Sequence, residues 1–397
     1  EIHPLTEDEK INIKYCQEKT CKFLFPYSQV EQETRANIHI RLYTQLARSL
    51  NRILVLSNVG NSKIRACSLY PFDFYYDLKA FQEDYPGIRF VTQNEFFQWT
   101  KERKIQPIAQ HSQMIQDGLN KPFSSGQSMT MRVNESSKFG SKRKKSVCID
   151  KFNINITNYK QFHTGISKLD REAMLKLVTN TLKIPSITGE YEAIMILDTS
   201  PAEIFPNITK VIPYSPYIIE ESKKIVNKLM PYIAVHWRME RGQSELMPKC
   251  ANKLVKTLKN VQNQYGIKNV YLATDFPLNG GNPQSLTFHN ISSFHKKAIE
   301  ILGLDGRFIN SSDHIKFDTW ISMDAFSQIK NDPKYETEFK GAGIHGILDK
   351  IVCINAKYFL RSPKGCGRKS STFTKAISIE RQKLKDQHDL INIDSFW

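Results

Sequence analysis

Apolar residues along the chain fall into short runs of strand length and longer stretches of helical spacing. Residues 22–26 (KFLFP) predict a first buried strand, and residues 53–56 predict a second. Between them, apolar residues recur at every fourth position from Ile38 to Leu50, which is the pattern of one helix face. A strand, a helix and a strand in this order predict a βαβ unit with a right-handed crossover.

The same architecture begins again at residue 217. A helix at 218–230 leads into a buried strand at 232–237, and a helix at 251–264 leads into a strand at 269–273. The remaining predicted elements are helices near 292–302 and 315–330, a short strand near 307–309, a helix that carries Asp349, a strand at 357–360 and a last helix opening at 370–372. The fold class is therefore α/β, with two doubly wound halves that we expect to face each other across a cleft.

Length and composition fit two domains. A chain of 397 residues is longer than a single hydrophobic core ordinarily supports. We therefore expect two domains, which cover residues 1–215 and 216–397. Residues 121–146 are rich in Ser, Gly and Lys and contain few large apolar residues, so we interpret them as a mobile surface insertion in the first domain. The aromatic residues of 61–110 are assigned to the core rather than to a stacking surface.

A formal net charge of +16 favours anionic partners, which include phosphates, nucleotide sugars, acidic glycans, nucleic acid and membrane head groups. The basic run at 142–145 is not joined by a basic face with interleaved aromatic residues, so we expect no nucleic-acid binding. No apolar run reaches about 18 residues, so we expect no membrane contact within the given chain.

Sequons and cysteines favour the secretory pathway. Five Asn-x-Ser/Thr sites occur, at Asn134, Asn155, Asn207, Asn290 and Asn310. Among seven cysteines, Cys16 and Cys21 are spaced to close a small loop, at least one thiol stays unpaired, and no spacing fits structural zinc. The chain opens on Glu1 rather than Met. We therefore expect a removed signal or anchor, and a protein of the ER or Golgi lumen, secreted or anchored by that upstream segment.

The run IAVHWRMERG at 233–242 is the strongest candidate for chemistry. A buried strand ends there and delivers His236, Arg238 and Arg241 in quick succession. Ligands of open α/β folds bind at the carboxyl ends of the strands, so this pattern predicts an anion site. The alternative is that both arginines are ordinary surface residues.

Two further segments follow predicted strands. The hydroxyl triplet at 370–372 opens a helix, where free backbone N–H groups and the helix dipole attract anions, although plain N-capping explains the same triplet. The loop after the first strand carries Glu31, Glu33 and Arg35. A solvated helix start, with acids well placed on the helix dipole, explains that loop equally well.

Three spaced signatures resemble the GDP-fucose-dependent protein O-fucosyltransferases and their plant and fungal relatives. They are the strand ending in His236-x-Arg238, the segment ILDKIVCINAKYFL that carries Asp349, and the ending SSTFTKAISIER, which is similar to the type that fucosylates thrombospondin repeats. The strand YLATD at 271–275 and the opening, an acidic loop before a helix ending IRLYTQLARSLNRILVLS, also resemble the family. The middle third, about residues 60–215, shows no match.

The resemblance implies a GT-B fold with two Rossmann-like domains and a donor bound mainly by the C-terminal one. It also implies no metal ion, no cofactor besides the donor substrate GDP-fucose, and inversion at the anomeric carbon of fucose. Residue by residue, it implies that Arg238 grips the diphosphate and that His236 and Asp349 contact the nucleoside. The donor site is completed in this interpretation by Ser370, Ser371, Thr372, Phe373, Asp275 and Arg35.

Glu31 is the best match for the acidic catalytic base of the family, and Glu33 is the alternative. The family's loop is rich in glycine, whereas QVEQETR has none. A third possibility is therefore that neither acid is a catalytic base and the chain is catalytically silent. The chemistry needs such a carboxylate opposite the donor, because the acceptor hydroxyl loses its proton as it attacks.

The departing diphosphate develops negative charge, which a guanidinium, hydroxyls and helix-start amides stabilise when no metal is present. The chain has no Asp-x-Asp pair for a metal clamp. With the resemblance, this predicts an inverting, metal-independent transferase that moves fucose to a hydroxyl of a protein or glycan. The alternatives are a catalytically silent GDP-sugar- or glycan-binding relative and a basic nucleic-acid-binding protein.

Overall fold

The fold is described from a computed structural model. The structure describes residues 4–28, 31–116, 131–133, 151–164, 175–176, 179–180, 182, 194–199, 211–278, 280–305, 314–367, 371–385, 387 and 389–397. The chain divides into two compact units, Glu1–Ser215 and Pro216–Trp397. Each unit carries its own sheet, and each is described by itself.

The first unit is built on a seven-stranded sheet with the order β5-β2-β1-β9-β6-β8-β7. Its strands are β1 (Phe23–Ser28), β2 (Ile53–Leu56), β5 (Phe90–Thr92), β6 (Ile108–Gln116), β7 (Met131–Val133), β8 (Asn155–Thr164) and β9 (Ile194–Thr199), and a separate hairpin is formed by β3 (Val59–Gly60) and β4 (Lys63–Ile64). The helices of its described part are α1 (Glu7–Cys16), α2 (Glu33–Leu50), α3 (Leu78–Asp84) and α4 (Gln93–Glu102). All strand pairs of the large sheet are parallel except β7 with β8.

The predicted βαβ unit is confirmed as β1–α2–β2. Strand β1 pairs in parallel with β2 on one side and with β9 on the other, so the strand order reverses beside β1. The loop after β1 therefore opens at a topological switch point of this sheet. The sequence predicted one apolar face for α2, but polar Asn37, His39 and Arg41 are buried as well.

A helix, α1, occupies a mostly polar N-terminal segment for which the sequence predicted no element. The Thr6 hydroxyl accepts from the Glu9 backbone N–H at 3.1 Å, and the Glu9 carboxylate accepts from the Thr6 N–H at 2.7 Å. This capping box starts the helix although its residues are mostly polar. The predicted small loop after α1 is confirmed, because Cys16 and Cys21 form a disulfide.

The second unit is built on a five-stranded, fully parallel sheet with the order β12-β11-β10-β13-β14. Its strands are β10 (Tyr232–Trp237), β11 (Asn269–Thr274), β12 (Phe317–Asp318), β13 (Tyr358–Arg361) and β14 (Ser395–Phe396). The helices of its described part are α5 (Pro216–Leu229), α6 (Met247–Tyr265), α7 (Ser293–Ile301), α8 (Glu336–Phe339), α9 (His345–Asn355) and α10 (Thr372–Leu384). The parallel sheets of both units confirm the predicted α/β class.

Strand β10 is the centre of the second sheet, and all six of its residues are buried. Its apolar residues face helices on both sides, as a near-continuous apolar run in a parallel sheet requires. The chain passes from β10 to β11 on one side and later returns to β13 on the other. The switch point of this sheet therefore lies between the carboxyl ends of β10 and β13.

Arg381, in the last turn of α10, joins three segments of the second unit. Its guanidinium is fully buried and donates to the main-chain carbonyls of Cys353 (3.2 Å), Ile354 (2.9 Å), Ala356 (2.6 Å), Asn392 (2.7 Å) and, through Nε, Ile393 (2.8 Å). Carbonyls at the end of a helix lack partners within the helix, so Arg381 supplies the donors that close α9. The arginine of the SSTFTKAISIER motif is thus a structural residue.

One predicted helix is wrong. Residues 315–330 form the short strand β12 followed by turns, and Asp324 (φ 53°) and Phe326 (φ 56°) adopt the left-handed conformation, which interrupts a right-handed helix. The predicted strand near 307–309 lies outside the described residues. So does most of the predicted insertion at 121–146, although Met131–Val133 forms β7. No helix in the described part of the chain has both the length and the apolar composition that a bilayer crossing requires.

Replacement of Arg381 by Ala should lower the free energy of unfolding by about 3–5 kcal/mol, because several buried carbonyls lose their donor at once. Urea unfolding followed by circular dichroism measures this. Lys383→Ala is the matched control, since Lys383 lies exposed on the same helix in an ion pair with Glu380. An Arg381→Ala protein as stable as the control would contradict the structural role.

Candidate functional site

His236 and Arg238 lie at the switch point of the second sheet. His236 is the penultimate residue of β10 and pairs in register with Arg361 of β13, and Arg238 is the first residue beyond the strand. The parallel sheet fixes both main-chain positions, so their side chains point from a rigid edge rather than from a free loop. This is the edge at which α/β folds bind ligands.

The loop after β13 is tied to the end of β10, to the segment that follows β10 and to α6. Trp237 Nε1 donates to the Cys366 carbonyl at 2.7 Å, and the Gln243 N–H donates to the Gly365 carbonyl at 2.8 Å. A disulfide joins Cys366 to Cys250 on α6. The approach is close enough that an added Cβ at Gly367 would collide with Ser362 Oγ and come within 3.0 Å of the Arg238 carbonyl oxygen. Residues 362–367 are therefore anchored beside Arg238.

Helix α10 begins against His236. Ser371 is its N-cap, and the Ser371 hydroxyl accepts from the Thr374 N–H at 3.4 Å. His236 Nδ1 shares a hydrogen bond of 2.8 Å with Thr374 Oγ1, and the His236 ring packs on Phe373 with centroids 4.7 Å apart. Burial, helped by the charge of Arg238, lowers the pKa of His236 to about 3, so the ring is neutral at physiological pH. The helix start presents backbone donors beside a neutral imidazole and an aromatic ring.

Arg238 is mostly buried, with 17% of its side chain exposed. One nitrogen, Nη2, forms an ion pair with Glu240 and donates to Ser285 Oγ at 3.4 Å. The Nε–H is buried and, among the described residues, has no hydrogen-bond partner. Buried polar groups are nearly always paired, so the unpaired Nε–H sets this guanidinium apart from a fully satisfied structural arginine such as Arg381. Arg241, by contrast, is 54% exposed.

Asp275 fixes the turn that follows Arg238. Its carboxylate accepts from the backbone N–H groups of Met239 (2.7 Å) and Glu240 (3.2 Å). Burial raises the pKa of Asp275 to about 7, although these two hydrogen bonds favour the charged form. Asp275 thus lies within the predicted site and is engaged with the protein main chain.

Asp349 lies on α9, which packs against β10 and β11. It is buried and accepts a hydrogen bond from the Tyr271 hydroxyl at 2.6 Å. Burial raises the pKa of Asp349 to about 7. Its neighbour Lys350 places its ammonium 5.6 Å from the centre of the Phe373 ring, which connects this region of α9 to the start of α10.

The first unit carries the predicted acids at its own switch point, after β1. Glu31 forms an ion pair with Arg35 at 3.2 Å, and the two side chains are 37% and 46% exposed. A carboxylate of this kind is accessible to a bound molecule. An exposed pair of this type also contributes little to stability.

Glu33 has a different environment, although it is only two residues away. It is the first residue of α2 and is buried, and its Oε1 accepts from the hydroxyls of Tyr76 (2.8 Å) and Tyr214 (3.1 Å). The two tyrosine rings stack with centroids 5.7 Å apart. Glu33 is therefore a buried anchor that connects α2 to the last described segment of the first unit.

The comparison with protein families decides the assignment. Residues 37–384 match the family model of the GDP-fucose protein O-fucosyltransferases. The chain belongs to this family. The predicted family and the predicted class of enzyme, a fucosyltransferase, are thereby confirmed.

Among solved structures, the chain is similar to POFUT1 in complex with GDP-fucose, at 14% identity and a TM-score of 0.49, over 96% of this chain and 99% of that one. It is also similar to the apo form of POFUT1, at 15% identity and a TM-score of 0.47, over 95% and 97% of the two chains. No curated protein matches the chain in sequence.

The structure brings several of the predicted residues of the second unit together. His236, Phe373 and Ser371 meet at the start of α10, with Thr372 as its first residue, whereas Ser370 lies outside the described residues. The sequence analysis missed Glu240, Ser285, Thr374 and Tyr271, which hold the predicted residues in place. Glu240 was visible in the run HWRMERG. Ser285 carries no signal, because a loop far along the chain brings it to Arg238.

The remaining sequence predictions concern metals, cysteines and sequons. Within the described ranges, no three His, Cys, Asp or Glu side chains lie where they could hold a metal ion together, and metal independence stays a prediction. Among the described cysteines, the free thiol is that of Cys353, which is buried. Of the sequons, Asn155 and Asn290 are exposed, and the other three lie outside the described residues.

Proposed function

We propose that this protein is an inverting, metal-independent glycosyltransferase that moves fucose from GDP-fucose to a hydroxyl of a protein or glycan. The observation that carries the proposal is the buried, unpaired Nε–H of Arg238 at the switch point of the second sheet. Membership of the O-fucosyltransferase family supports the donor and the reaction class. The proposal places the diphosphate against Arg238.

The surroundings of Arg238 suit a leaving diphosphate. A guanidinium binds phosphate oxygens through a planar fork of donors, and the backbone N–H groups at the start of α10 add further donors with the positive end of the helix dipole. The loop after β13 packs beside Arg238, and the hydrogen bond between His236 and Thr374 holds the start of α10 before the donor binds. Preorganised donors of this kind stabilise the negative charge that develops as the sugar–phosphate bond breaks.

We place the nucleoside against His236, Asp349 and Phe373. Neutral His236 offers a hydrogen-bonding edge without a competing positive charge, and Phe373 offers a ring face for the base. Burial raises the pKa of Asp349 to about 7 and so disfavours its charged form. A guanine ring, which presents adjacent N–H donors, favours the charged form.

Glu31 is our choice for the catalytic base. The acceptor oxygen attacks the anomeric carbon, the bond from that carbon to the phosphate oxygen breaks, GDP leaves, and the acceptor proton passes to the carboxylate. Glu31 is accessible to an acceptor, whereas Glu33 is buried beneath two tyrosine hydroxyls. The exposed sequons Asn155 and Asn290 and the disulfides fit a protein of the secretory pathway lumen.

Arg238→Ala should lower the rate of GDP release from GDP-fucose by at least about 100-fold, because the leaving group loses its main source of positive charge. A coupled assay for GDP measures this. Arg241→Ala is the control, since Arg241 lies in the same run but is exposed, and it should keep the wild-type rate. Equal rates for the two variants would exclude Arg238 from the site.

Glu31→Gln should lower turnover by about 100-fold or more while leaving the dissociation constant of GDP unchanged, because a base acts in the chemical step. Glu33→Gln keeps an oxygen that accepts from both tyrosines and should leave turnover near the wild-type value. Steady-state kinetics and calorimetric GDP binding separate the two. A loss confined to Glu33→Gln would assign the base to the buried acid, and wild-type turnover in both variants would exclude a base in this loop.

A further inference from the structure

Glu240 is a buried carboxylate two residues beyond Arg238, and the donor-site assignment gives it no role. Only 1% of its side chain is exposed. Its Oε2 accepts from the hydroxyls of Ser285 at 2.6 Å and Thr287 at 2.5 Å, and its Oε1 meets the guanidinium of Arg238. A buried carboxylate with this many partners is held in one orientation.

The backbone of Glu240 is fixed as well. Asp275 accepts from the N–H groups of Met239 and Glu240 and so sets the turn that carries the carboxylate. Burial alone raises the pKa of Glu240, but the hydrogen bonds from Ser285 and Thr287 and the charge of Arg238 outweigh burial and leave the pKa below its ordinary value. The group is therefore a permanent negative charge beside Arg238.

The ion pair engages only one end of the guanidinium. Glu240 and Ser285 both contact Nη2, while Nε is buried and has no partner in the part of the chain that the structure describes. An arginine has five N–H donors in a rigid plane, so fixing one corner fixes the direction of the others. The carboxylate therefore constrains the plane of the guanidinium through Nη2, while the Nε–H keeps no protein partner among the described residues.

We propose that Glu240 is the positioning residue for Arg238, holding its guanidinium so that the unpaired Nε–H is directed at the diphosphate of the nucleotide. The inference rests on the proposed role of Arg238. Ser285 and Thr287 support the same role, because their hydroxyls keep the Glu240 carboxylate in place when Arg238 contacts the nucleotide.

A double-mutant cycle on GDP affinity tests this. In the full-length protein, Glu240→Gln should weaken calorimetric GDP binding by about tenfold, since the amide lacks the charge that orients Arg238. In an Arg238→Ala background the same substitution should change GDP affinity less than about twofold. The matched control is Glu245→Gln, which removes one exposed carboxylate from the same segment and should bind GDP like the wild type.

The outcomes distinguish a failure of the role proposed for Arg238 from a failure of the role proposed for Glu240. If Arg238→Ala binds GDP as tightly as the wild type, the proposed function of Arg238 fails. If Arg238→Ala binds weakly and Glu240→Gln weakens binding equally in both backgrounds, Glu240 acts on the fold and the positioning role is overturned. Unchanged or tighter GDP binding by Glu240→Gln alone also overturns it.

A milder variant covers the case in which Glu240→Gln does not fold. Thr287 is exposed, and Thr287→Val removes one anchor of the carboxylate while keeping the ion pair. Thermal unfolding should be near that of the wild type, and GDP binding should weaken by about two- to threefold only when Arg238 is present. The same loss in the Arg238→Ala background would contradict the proposal.

Discussion

A buried guanidinium needs partners for its charge, and the end of β10 is built around that requirement. Glu240 supplies the opposite charge, Ser285 and Thr287 fix Glu240, and Asp275 fixes the turn between the strand and the carboxylate. Burying the charge of Arg238 without that of Glu240 would be strongly unfavourable, so these residues form one interdependent network. Among the described residues the Nε–H of Arg238 has no partner, and we propose that this donor gives the site its preference for an anion.

A second constraint is the path of the chain after β13. The disulfide to α6 and the two hydrogen bonds to the carbonyls of Cys366 and Gly365 hold this loop beside β10 and the turn after it. The start of α10 is held by the hydrogen bond between Thr374 and His236, and its other end is held by Arg381 through the carbonyls at the end of α9. Both ends of the helix are therefore fixed, in accord with a site formed before its ligand arrives.

Much of the fold and part of the site follow from the sequence. The strand at 232–237 was predictable because six consecutive residues suit a buried parallel strand, and Arg238 because it directly follows that strand. The helix predicted at 315–330 does not form, because Asp324 and Phe326 adopt the left-handed conformation and the apolar spacing of the sequence does not reveal this. Likewise, spacing alone does not separate Glu31 from Glu33. Only the tertiary approach of Tyr76 and Tyr214 buries one and leaves the other accessible.

The central claim is that the second unit binds a guanosine diphosphate sugar. The most direct measurement is the melting temperature of the protein with a panel of nucleotides, because a ligand that binds only the folded state raises it. GDP and GDP-fucose should raise the melting temperature in proportion to the logarithm of their concentration, whereas UDP, UDP-glucose and UDP-N-acetylglucosamine should leave it unchanged. Equal shifts with the uridine nucleotides, or no shift with GDP, would contradict the account.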